Sequence, residues 1–129
     1  MNEISSLLLR AAWAGFFLGV LSGAVIGMFF HRDEWMGGYG SYRRRLTRLG
    51  HISFFGLGFI NALFALTHHV MPLAPQAANI AGPCFLIAAA SMPTVCFLTA
   101  WRKPWRHLFF IPVGSAAIGI VCVLWGVSG

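Results

Sequence analysis

The sequence predicts an all-α integral membrane protein, a single domain over residues 1–129 built as a bundle of four transmembrane helices. Three observations predict it. Apolar residues make up 58% of the chain and charged residues only 9%, with a mean hydropathy of +0.76. A soluble domain carries about 25% charge, and a chain this short cannot hide so large an apolar excess in one core. Second, the apolar residues gather into four runs, each near the roughly 20 residues a helix needs to cross a bilayer. Third, the basic residues fall almost entirely between those runs.

The first run, Ala11 to Phe30, is uncharged and ends at His31-Arg32-Asp33-Glu34 rather than at a small-residue cleavage site. It reads as a retained span and not as a secretory leader. Leu49 to Thr67 is the second run, with His51 as its one titratable group. Ala77 to Trp101 is the third, and residues 108–128 form the fourth; both are uncharged. Helices are expected because lipid satisfies no backbone N–H or C=O, and no run alternates as a barrel strand would. Pro93 and Pro112 are expected to interrupt spans three and four.

Charge sets the orientation. Arg32, Arg43, Arg44, Arg45 and Arg48 join spans one and two, and Arg102, Lys103 and Arg106 join spans three and four. Only Arg10 lies on the other side. Basic connections stay in the cytoplasm, so both termini are expected outside the plasma (inner) membrane. Trp35, Tyr39, Tyr42, Trp101 and Trp105 flank the cytoplasmic ends, as an interfacial aromatic belt would. The formal charge of +6 is thereby assigned to anionic lipid headgroups and not to nucleic acid. Arg43, Arg44, Arg45 and Arg48 are the headgroup candidates.

Gly15, Gly19, Gly23 and Gly27 recur every fourth residue of span one. Without a Cβ at these points another helix can approach closely, from this chain, a second copy or another membrane subunit. Asn61 stands mid-span and needs a hydrogen-bond partner, because an unpaired amide in lipid is costly.

His51 and His69 lie 18 residues apart, five turns of an ideal helix, which places them on one face about 27 Å apart. Such placement suits haem b held by imidazoles, with His31 or His107 as the second axial ligand to pair with His51. The blander account is that histidines at span ends are half-wetted interfacial residues, and His68 reads that way. Cys84, Cys96 and Cys122 lack Cys-x-x-Cys spacing and read as small apolar residues. Met92 and Cys96 could offer soft ligands to copper, or simply pack.

No Asp, Glu, Lys or Arg occupies the centre of a span, which argues against ion-coupled carriers and proton pumps. The leading expectation is therefore a small non-enzymatic membrane protein, a structural or accessory subunit of a larger assembly. The alternatives are a b-type haem electron carrier and a passive channel or small-solute permease.

Overall fold

A computed structural model describes residues 1–128 and is entirely helical between its turns. Helix α1 spans Glu3–Phe29, α2 Tyr42–Val70, α3 Pro75–Trp101 and α4 Phe110–Ser128. Short 3-10 turns cover Trp35–Gly37 and Lys103–Phe109. All four helices are long and apolar enough to cross a membrane, the last counted from Lys103.

The apolar runs mark the helices but not their first turns. Helix α1 starts at Glu3 rather than Ala11, because Asn2 Oδ1 accepts the Ser5 N–H at 2.9 Å and caps the end. Helix α2 starts at Tyr42 rather than Leu49, capped by Ser41 Oγ on the Arg44 N–H at 3.1 Å. The arginine run is therefore the first two turns of a helix. Pro75 opens α3 at a position where its missing N–H costs nothing. Pro93 lies inside α3 as expected, together with Pro83. Pro112, in contrast, falls in the first turn of α4 and interrupts nothing.

Successive helices pack antiparallel, and α1 folds back onto α3, so that α1, α2 and α3 form a triangle. Helix α4 packs on α3 alone to any extent, and α1 and α4 do not pair. The main core sits at the end holding the α2–α3 turn, where Leu8, Phe64, Leu73, Ala77, Ala81 and Phe85 are buried together. Gly119 lets α4 settle on the Phe85 ring, which would stand 2.7 Å from a Cβ there. On α4 only Pro112 and Gly119 are buried. Its outward side chains, such as Phe110, Val121 and Leu124, stand exposed.

The α1–α2 connection is held in an unusual backbone. Met36, Gly37 and Gly38 take φ values of 53°, 86° and 103° in succession. For Met36 the left-handed region costs on the order of 1–3 kcal/mol and needs outside support. Ser41 Oγ supplies it by donating to the Met36 carbonyl at 2.6 Å, and Thr47 Oγ1 meets the Met36 sulfur at 3.4 Å.

Candidate functional site

The densest polar chemistry lies where the α1–α2 connection meets the start of α2. Here the four arginines separate into different environments. Arg43 and Arg45 are exposed and Arg48 is half-buried. Arg44 departs from the headgroup role expected of it, with an exposure of 0%. Its Nη2 donates to the Phe30 carbonyl at 3.2 Å and the Arg32 carbonyl at 2.6 Å. The rings of Phe30, Trp35 and Tyr39 surround the guanidinium at 4.8, 5.4 and 5.1 Å. A cation over the last carbonyls of α1 complements that helix's negative end, and three ring faces add cation–π attraction. Arg44 is thus the plug that closes α1, while its Nε and Nη1 find no acceptor. Trp35 and Tyr39, expected in an interfacial belt, are committed to this cage; Trp35 also stacks on Phe29 at 5.7 Å.

Further along, α1 and α2 meet through three of the four glycines. A Cβ on Gly15 would stand 3.2 Å from the Phe54 carbonyl, one on Gly19 2.6 Å from the Phe55 ring, and one on Gly23 2.6 Å from the His51 ring. Gly27 faces open space. Beside Gly23, Ser22 Oγ lies 3.0 Å from His51 Nδ1. The same hydroxyl reaches the Gly19 carbonyl of its own helix at 3.0 Å. His51 is therefore a half-buried side chain of the helix seam, set edge-on to Phe55 at 5.6 Å.

The other histidines do not join it. His31 and His107 are exposed on separate segments, and neither shares a hydrogen bond or ring contact with His51. Among the described residues no group of three His, Cys, Asp or Glu side chains could hold a metal ion. At the opposite end His68 is buried, contrary to its expected half-wetted place, whereas His69 is exposed. Leu73 N–H donates to His68 Nδ1 at 3.0 Å, and the ring stacks on Phe64 at 5.8 Å, with the start of α1 abutting its other edge at Asn2. One imidazole thereby ties the end of α2 to the α2–α3 turn. The seam runs through residues 51, 55, 58 and 68 of α2. His68, not His69, is the histidine turned into the packing between α2 and its neighbours.

Asn61 is fully buried between α2 and α3. Its Nδ2 donates to the Leu57 carbonyl at 2.8 Å in its own helix and reaches the Phe85 carbonyl of α3 only at 3.5 Å. Two carbonyls on that side fix the amide's orientation and leave Oδ1 without a donor. As interhelical glue it is weak. Between α1 and α3, an apolar groove of about 440 Å³ opens beside Gly15, with Phe54 and Gly58 in its wall. Cys84, Cys96 and Cys122 carry free thiols, and Cys96 is buried in packing while Met92 faces α4 beside Pro112. No protein-family model matches the chain, and no curated protein or solved structure does so either.

Proposed function

We propose that the chain is an integral membrane protein of the multi-pass kind, resident in the plasma (inner) membrane with both termini on the non-cytoplasmic side. Within it the chain serves as a small non-enzymatic subunit that joins a larger membrane assembly. The observation that carries this reading is the state of the flanking helices. Helix α4 offers its own chain one narrow strip, and α1 turns Trp13, Phe17 and Met28 outward, each exposed by more than half. Water would not tolerate such surfaces; lipid and partner helices would. Gly27 of α1 and Gly114 of α4 have no atom within 4 Å of a Cβ position, which leaves room for a helix from outside the chain.

Two measurements test the reading. Reporter fusions after Trp35 and Lys103 should report the cytoplasm, and fusions after Pro75 and Ser128 the far side. A cytoplasmic reporter after Pro75 overturns the orientation. Protein extracted in a mild detergent should migrate with a larger complex, and Gly114→Leu should release it. Migration as a lone chain in both forms overturns the subunit reading.

A further inference from the structure

A second cleft of about 440 Å³ lies between the start of α2 and the end of α3, on the side of α2 that Arg43 faces. Ser41, Tyr42 and Arg43 form one wall; Thr99, Trp101 and Lys103 contribute to the other. No carboxylate lines it. The volume falls within the roughly 300–1,000 Å³ typical of small-molecule sites.

Several features of this cleft converge on an oxyanion. The 29-residue helix α2 points its N-terminus here. Ser41 satisfies the N–H of Arg44 through its side chain and that of Arg45 through its carbonyl, while no protein group accepts from the N–H of Tyr42 or Arg43. Those donors sit at the positive end of the helix dipole, a ready anion site. The independent observation is Thr99. Thr47, Ser91 and Thr94 each donate back to a carbonyl of their own helix, as membrane-type helices commonly arrange. Thr99 does not: it is 1% exposed, and its Oγ1 has no partner. A buried hydroxyl left idle is expensive unless something outside the chain engages it. Arg43 and Lys103 bring two positive charges to the opening, the latter held 4.9 Å over the Tyr42 ring.

We propose that this cleft binds a terminal phosphate group, that of a monoester or of orthophosphate, with Thr99 and the α2 N-terminus as neutral donors and Arg43 and Lys103 as counter-charges. Such a group carries about −1.5 to −2 at neutral pH and so matches two cations better than a diester does. Trp101 and Tyr42 at the rim suit the headgroup level of a bilayer, so a lipid such as phosphatidic acid is one source and free phosphate the other. The lipid source rests on the membrane reading above; the oxyanion site does not.

The test uses full-length protein, with thermal stabilisation against ligand concentration giving the apparent affinity. One arm titrates inorganic phosphate in detergent. The other compares phosphatidylcholine bilayers with and without phosphatidic acid. Thr99→Val should weaken binding about tenfold, the scale of a hydrogen bond to a charged group, and Thr99→Ser should restore it. Arg43→Gln with Lys103→Gln should weaken it by at least as much, whereas Arg45→Gln, outside the cleft, should leave it unchanged. Response to phosphatidic acid alone assigns a headgroup; the same variant pattern with inorganic phosphate assigns a free ion. Thr99→Val binding like the parent, or Arg45→Gln losing as much as Arg43→Gln, overturns the site and leaves only general surface charge. Release of the protein from membranes by alkaline extraction would sink the membrane reading, while the detergent arm still decides this one.

Discussion

The imidazole of His51 occupies the space that a side chain on Gly23 would need, with Cε1 2.6 Å and Nε2 3.2 Å from a Cβ built there. The ring cannot retreat freely, because its Nδ1 is bonded to Ser22 one residue away from that glycine. Gly23→Ala should therefore push the ring off Ser22 and destabilise the protein by about 1–3 kcal/mol, the usual cost of overpacking. Gly27→Ala meets nothing within 4 Å and should be neutral or gain up to about 1 kcal/mol from helix propensity. Thermal unfolding in detergent compares the two. Equal melting temperatures would mean that the seam gives way without cost.

How much of this was legible beforehand differs from residue to residue. Four helices followed from four apolar runs, because length and hydropathy are summed properties that need no partner. Helix starts did not follow, because Asn2 and Ser41 act through one hydrogen bond each and lie among residues that look like loop. The fates of the arginines were hidden for another reason. Arg44 and Arg48 share a helix face, four residues apart, and that face meets Phe30 and Tyr39. The pairing was visible in the spacing, but where the connection returns depends on three consecutive positive φ values that a run such as Met36-Gly37-Gly38 only permits. For the histidines, helical spacing alone lines His69 up with His51, whereas the burial of His68 comes from the Leu73 N–H and the Phe64 ring, which only the folded α2–α3 turn brings to it.

Arg44→Ala should be far more damaging than its neighbours. It removes two bonds to the carbonyl end of α1 and the centre of a three-ring cage. The expected loss is about 2–4 kcal/mol, with faster proteolysis within residues 31–40. Arg45→Ala, exposed and unpaired with any ring, should change stability by no more than about 0.5 kcal/mol. Arg44→Lys should recover little, since a compact, strongly hydrated ammonium lacks the planar face that Phe30, Trp35 and Tyr39 enclose. Limited proteolysis alongside melting curves would expose a merely electrostatic role, in which lysine restores both.

His68→Ala should lower stability by about 1–3 kcal/mol, because it leaves the buried Leu73 N–H without an acceptor and removes the stack on Phe64. His69→Ala should do nothing measurable. Comparable effects at the two positions in detergent unfolding would show that the α2–α3 turn is held by something other than the imidazole.

The haem expectation can be tested most directly at His51. Its Nδ1 shares a hydrogen bond with Ser22, and in metal sites a hydrogen bond at one ring nitrogen orients the imidazole for ligation through the other. Nε2, however, lies 3.2 Å from where a Gly23 Cβ would stand, inside the helix seam, and a flat macrocycle would have to part α1 from α2 to reach it. A second axial ligand would have to come from His31 or His107, both exposed and neither sharing a hydrogen bond or ring contact with His51. Purified protein is therefore expected to be colourless, and His51→Gln, which keeps a hydrogen-bonding group near Ser22, to lose at most about 1 kcal/mol. A Soret band in the parent that vanishes in His51→Ala would reverse this. It would require the seam to open around the cofactor, and the glycines now filled by Phe55 and His51 would then be the clearance for its ring.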